Sequence, residues 1–150
     1  MKTKVLVVCM GNICRSPTGE AVLRAKANQL GVDIEVDSAG TIGYHQGNPP
    51  DPRAKAAGEN RGYSFKGIRA RKVVSEDFDY FDLILAADSD NLSDLIAQCP
   101  THLQHKVTLF LSYAEANCDE IPDPYYGGEH GFELVLDLVE QASENLLKSL

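Results

Sequence analysis

A chain of 150 residues, 43% hydrophobic and 24% charged with no low-complexity tract, fits one core-forming domain over residues 1–150. No apolar run approaches the ~20 residues that span a bilayer, and the apolar run after Lys4 is too short for a secretion signal, so a cytoplasmic protein without membrane insertion is expected. The net charge of −8 argues against nonspecific nucleic-acid binding, but says little about small anions, which answer to local fields.

Lys4-Val5-Leu6-Val7-Val8 reads as a strand covered on both faces. A helix over 17–30 follows, with Ser16 as N-cap, Pro17 in the first turn and Gly31 as the stop. Val22, Leu23, Lys26 and Leu30 share one stripe of it. Ile34-Glu35-Val36 supplies a second strand and closes a βαβ unit. After a Gly/Pro-rich loop from Ala39 to Pro50, Asp51-Pro52 opens a helix to about Arg61, stopped by Gly62. The acidic stretch 75–82 reads as a solvated face. Phe81–Ala87 is a third strand, 89–98 a helix and Val107–Leu111 a fourth strand. A loop over 113–128 leads to a last helix, about 129–148, with Phe132, Val135, Leu136, Val139 and Leu146 on one face.

Strands alternating with helices predict an α/β fold: a four-stranded parallel sheet with helices on both faces. Ligands of such sheets bind beyond the carboxyl ends of the strands, where Cys9 falls. The cysteines Cys9, Cys14, Cys99 and Cys118 match neither a disulfide framework nor a zinc site. Each is then either buried filler or a reactive thiol.

Residues 10–15 must turn the chain from strand end to helix start. Gly11 and Asn12 tolerate left-handed backbone angles, so successive N–H groups can converge on one anion. The helix behind adds its own unpaired N–H groups and positive dipole end. That field favours the thiolate of Cys9. Arg15 offers a planar fork for two phosphoryl oxygens, and the Ser16 hydroxyl can donate to the sulfur. Asp123, stiffened by a proline on each side, is a candidate general acid, although Asp-Pro is also a common turn. The loop lacks both nucleotide-binding glycine patterns.

Cys9-x5-Arg15-Ser16 near one end and Asp123-Pro124-Tyr125-Tyr126-Gly127 near the other resemble the low-molecular-weight protein tyrosine phosphatases. The likeness extends through Asp37-Ser38-Ala39-Gly40, Pro50-Asp51-Pro52-Arg53-Ala54 and Asp88-Ser89-Asp90-Asn91-Leu92. It implies that Cys9 is the nucleophile of a phosphocysteine mechanism, Arg15 the phosphate clamp and Asp123 the acid and then the base. It implies a phosphate-binding loop of Met10, Gly11, Asn12, Ile13, Cys14 and Ser16, with Ser38 and Asn12 holding its shape. Tyr44 and Tyr125 would flank the substrate ring, and Ile13 resembles the tyrosine-directed members, whereas phosphoarginine-directed relatives carry threonine. No metal or cofactor is implied, because amides and Arg15 supply the positive field. The implied partners are phosphotyrosine proteins, with phosphate and other oxyanions as inhibitors, acting on a monomer or weak dimer. Family members often carry a histidine where Ile68 stands, which leads one to expect weaker support of Asn12. Cys14 is either an inert plug or a trap for oxidised Cys9.

Two rival readings share the loop. An arsenate reductase would need further cysteines to pass a disulfide outward, and Cys99 and Cys118 match no such relay. A noncatalytic phosphate- or phosphotyrosine-binding module would not need the full Cys, Arg and Asp set.

Overall fold

The computed structural model describes residues 2–114, 120–124 and 129–150, with backbone only at 129 and 130. Tyr125 and Cys118 lie outside the described residues. The unbroken apolar run places β1 (Thr3–Cys9) in the middle of the sheet, with Val5, Leu6, Val7 and Val8 all at 0% exposure. β1 pairs in parallel with β2 (Ile34–Gly40) on one side and β3 (Leu83–Ala86) on the other, and β3 pairs with β4 (Val107–Leu109). The strand order is β2-β1-β3-β4.

Alternation along β1 sorts its side chains into two layers. Val5, Val7 and Cys9 join a core built on α1 (Arg15–Leu30) and α5 (Glu129–Ser149). Leu6 and Val8 join a second core with α3 (Ser75–Tyr80) and α4 (Ser89–Gln98). Helices therefore cover both faces. Each fully buried aliphatic side chain contributes about 1.5–3 kcal/mol. α2 (Pro52–Asn60) stands beside them, its Ala54 clustered with Cys14 and Phe132. Asp51 caps it, accepting from the Arg53 N–H at 2.8 Å. Among the described residues no helix is long and apolar enough to cross a membrane.

Several element boundaries depart from the sequence reading. α1 starts at Arg15, with Cys14 as a cap residue that makes no side-chain cap bond. Ser16 does not cap it, because its hydroxyl is engaged by Cys9 and Asn12. Leu30 is 47% exposed at the last turn, beyond the Lys26–Glu144 ion pair that fastens α1 to α5. β2 continues past Val36 to Gly40, because Asp37–Gly40 pair with the second half of β1. The acidic stretch is partly interior. It forms α3, where Phe78 is 1% exposed and Asp77 turns inward to accept from Arg71 and from the Val74 N–H. Phe81 ends α3 rather than opening β3. Past Leu109 the chain tightens into a 3₁₀ turn, Phe110–Tyr113, and a second 3₁₀ segment, Thr101–Lys106, precedes β4.

Candidate active site

β1 ends at Cys9 and α1 begins at Arg15, so residues 10–14 form a tight crossing at the carboxyl edge of the sheet. Its neighbours press close. Thr41 N–H donates to Cys9 O at 2.9 Å and Ile42 N–H to Met10 O at 3.1 Å. From the other side, Asp51 N–H donates to Ile13 O at 2.8 Å. A Cβ on Gly40 would stand 2.7 Å from Met10 O, which explains glycine there. Among the described residues, the backbone N–H groups of residues 10–15 find no protein acceptor. Unpaired N–H groups at a helix N-terminus form an anion cradle.

The loop holds its shape through Asn12, which has φ 57°, in the left-handed region. Gly11, expected to share that conformation, does not; its open side is filled by the His45 ring, 2.9 Å from where a Cβ would sit. The Asn12 amide is bound at both ends. Nδ2 donates to Ser16 Oγ at 2.7 Å and to Ser38 Oγ at 3.0 Å, and Oδ1 accepts from the Arg71 N–H at 3.0 Å. The weakening expected from Ile68 is not seen in these bonds. Ile68 packs into the core instead, at 3% exposure.

The Cys9 sulfur receives two contacts from one residue. Ser16 Oγ lies 3.0 Å from Sγ, and the Ser16 N–H donates to it at 3.4 Å. Arg15 is buried and bolted in place: Nη1 donates to Asp88 Oδ2 at 2.7 Å and to Ile121 O at 3.0 Å, while Nη2 is 4.0 Å from Asp123 Oδ2. Burial opposes its charge, but Cys9, Asp88 and Asp123 more than offset that and raise its pKa above the usual arginine value. Asp88 does a second task, since its Oδ1 caps α4 through the Asn91 N–H at 2.8 Å. Ile121 is stitched to the end of β3 by its N–H to Ala87 O at 2.7 Å, which sets Asp123 over the same edge.

Cys9, Met10, Gly11, Ile13, Cys14, Arg15, Tyr44, His45 and Asp123 line a cleft of about 350 Å³. The predicted Asn12, Ser16 and Ser38 lie behind it, fully buried, as the frame of the loop. Tyr44 stands at the mouth, 83% exposed. Cys14 is 5% exposed. Burial, then the nearby Asp51, Cys9 and Asp123, push its thiol up to about 12, against a smaller opposite pull from Arg53. Asp51, by contrast, sits below the usual carboxylate range: burial opposes its charge, but bonds from Arg53 prevail. His45 and Glu20, a buried acid behind Ser38, were not singled out by sequence, and Asp88 entered only within a stretch of the resemblance, without a role. A histidine next to Tyr44 was the one local signal; the other two act across long stretches of chain. Among the described residues no group of three or more His, Cys, Asp or Glu side chains could hold a metal ion. Cys99 lies in the opposite core layer from Cys9.

The chain matches known proteins along nearly its whole length. The family model for low molecular weight phosphotyrosine protein phosphatase matches residues 4–150. A low molecular weight protein-tyrosine-phosphatase of Streptomyces coelicolor is 44% identical, covering 100% of this chain and 94% of its own. A low molecular weight phosphotyrosine protein phosphatase of Schizosaccharomyces pombe is 43% identical over 98% and 96%. A crystal structure of a protein tyrosine phosphatase from Entamoeba histolytica, with Hepes in the active site, superposes with a TM-score of 0.95 at 42% identity, covering 99% of this chain and 96% of that one.

Proposed function

We propose that this chain, which belongs to the low molecular weight phosphotyrosine protein phosphatase family, hydrolyses protein phosphotyrosine and other aryl phosphates through a phosphocysteine intermediate. The observation that carries the reading is one cleft holding the Cys9 sulfur, the buried Arg15 fork and the Asp123 carboxyl around a loop whose N–H groups find no acceptor among the described residues. In the first step Sγ attacks phosphorus, the S–P bond forms and the P–O bond to the phenol breaks. Asp123 gives its proton to the departing phenolate oxygen. In the second step a water attacks phosphorus, Asp123 takes its proton, and the S–P bond breaks to release phosphate. Arg15 and the N–H groups of residues 10–15 hold the nonbridging oxygens as charge builds on them. Nη1 is already committed to Asp88 and Ile121 O, so the remaining edge of the guanidinium faces the oxyanion. The Ser16 hydroxyl steadies the sulfur as nucleophile and again as leaving group.

Tyr44 at the mouth supports an aryl substrate, whose length reaches Cys9 where a phosphoserine falls short. The matching role of Tyr125 rests on resemblance alone. The two core layers sharing one sheet support a single catalytic domain over 1–150. Phosphate and vanadate compete for the same cradle. Peroxide converts the Cys9 thiolate to the sulfenic acid, and the Cys14 thiol then displaces water to close a reversible disulfide. Sulfinic Cys9 without that link, seen by mass spectrometry, rejects the trap.

Hydrolysis of para-nitrophenyl phosphate without added metal tests the reaction. Activity that persists in Cys9→Ser removes the nucleophile assignment, and thioredoxin-dependent arsenate reduction would move the chain to the rival activity.

A further inference from the structure

Glu20 is a buried acid that the reaction above does not use. It lies on α1, 5% exposed, and its two oxygens have different partners. Oε1 accepts from the Ser38 hydroxyl at 2.7 Å, and Oε2 pairs with Arg24, whose Nη2 also donates to Val36 O at 3.0 Å.

The directions of the hydrogens between Asn12 and Glu20 can be worked out from their ends. The Arg71 N–H can only donate, so the atom of Asn12 facing it is the oxygen and Nδ2 faces the serines. Nδ2 has two hydrogens and two neighbours, Ser38 Oγ and Ser16 Oγ, and each of these accepts one. Glu20 is paired with Arg24 and its oxygens accept, so the Ser38 hydrogen points at Glu20. The Ser16 hydrogen is left for Cys9 Sγ at 3.0 Å, with Ala39 O a longer alternative at 3.4 Å. The bonds therefore run outward from Asn12 Nδ2 in two arms, one through Ser38 to Glu20 and the other through Ser16 to Cys9.

We infer that Glu20 is a positioning residue for catalysis: through Ser38 and Asn12 it fixes the Ser16 hydroxyl on the nucleophilic sulfur and holds the left-handed turn at Asn12. This rests on the proposed phosphatase chemistry and adds to it a residue that never touches substrate. The carboxylate strengthens Ser38 as an acceptor for Asn12, because bonded groups polarise one another in a low-dielectric interior. Without it, the Ser38 hydroxyl loses its buried partner and the Asn12 amide loses its fixed seat.

Glu20→Gln, Ser38→Ala and their double variant test this, beside Arg24→Gln as a control that spares the bond to Ser38. Two readouts are taken: kcat and KM for an aryl phosphate, and the rate of Cys9 alkylation by iodoacetate at one pH near neutrality. Glu20→Gln is expected to lower kcat about tenfold with KM within about twofold, and to slow alkylation several-fold. In the Ser38→Ala background the same change has no further effect, because both act through one bond. Arg24→Gln stays within about twofold of the parent in both readouts. Parent-like alkylation and kcat in Glu20→Gln, or losses that multiply in the double variant, overturn the inference. If Glu20→Gln fails to fold, Glu20→Asp, which keeps the charge but withdraws it by one methylene, is read in the same way. Alkylation needs no turnover, so a parent inactive on aryl phosphates would defeat the proposed function while leaving this arm readable.

Discussion

The two segments that meet over the cleft are held in very different ways. The loop after β1 is fastened from three directions: to the residues that follow β2, Thr41 and Ile42, to the start of α2 through Asp51, and to the 70–73 segment through Asn12 and Arg71. The segment bearing Asp123 shows, among the described residues, bonds from Ser89 N–H to Glu120 Oε2, from Ile121 N–H to Ala87 O and from Arg15 to Ile121 O, and the Arg15–Asp123 approach. Asp123 is also much more exposed, its side chain at 42% against 5% for Arg15. The difference matches the tasks proposed for them. Stabilising an oxyanion demands fixed dipoles, since any reorganisation at the moment of reaction is costly. Passing a proton demands only a reach of hydrogen-bond length to the leaving oxygen.

Changes to the rigid side should then cost most. Arg15→Lys keeps a charge but loses the fork that grips Asp88, Ile121 O and the oxyanion at once; kcat/KM for aryl phosphates is expected to fall about a thousandfold. A drop below tenfold would mean that the charge alone suffices. Asp123→Asn should cost about a hundredfold with alkyl phosphates and under tenfold with acidic phenols, which leave without help. Losses independent of leaving-group pKa would take the proton from this residue. Gly40→Ala drives a methyl against Met10 O and Ile42 O without touching any reacting group. It is expected to weaken vanadate binding about tenfold and to destabilise the fold by about 1–3 kcal/mol. Unchanged vanadate affinity would show that the loop yields freely and is not the more rigid of the two segments.

The smallest effect concerns alkaline pH. Cys14 is pushed up to about 12 by burial and its acidic neighbours, and Tyr63, which donates to Glu140, is raised as well, by burial and that bond. Both groups keep their protons in the native state at pH values where the unfolded chain has lost them. Their contribution to stability is full below about pH 9, the ordinary thiol value, and declines as pH rises above it. Denaturant midpoints measured from pH 8 upward should fall, and Cys14→Ala should flatten the fall. Midpoints that rise with pH would reverse the assignment.

Much of this edge was legible from the sequence. The five apolar residues of β1, the Cys9-x5-Arg15 spacing and the Asp123 segment are local patterns, and the alternation of strands and helices gave the parallel sheet with its site at the strand ends. What failed was set by tertiary contacts. Ser16 has the composition of a cap, but its hydroxyl is worth more to the sulfur, and the uncapped helix start leaves N–H groups for an anion. The run 75–82 looks solvated by composition, but its Asp77 is buried and paired with Arg71, six positions earlier and outside the run. Six residues of α3 are also too few to show a helical period. Glu20 and His45 fall in no motif, and the stretch that holds Asp88 gives no sign that it meets Arg15 across 73 positions.

That last contact bears on how portable this cleft is. The arginine is anchored by a carboxylate that simultaneously starts the helix following the neighbouring strand. Grafting the short crossing onto another parallel sheet would therefore transplant the cradle without its anchor. A working transfer must bring two adjacent strand-to-helix junctions together, in register, as one module.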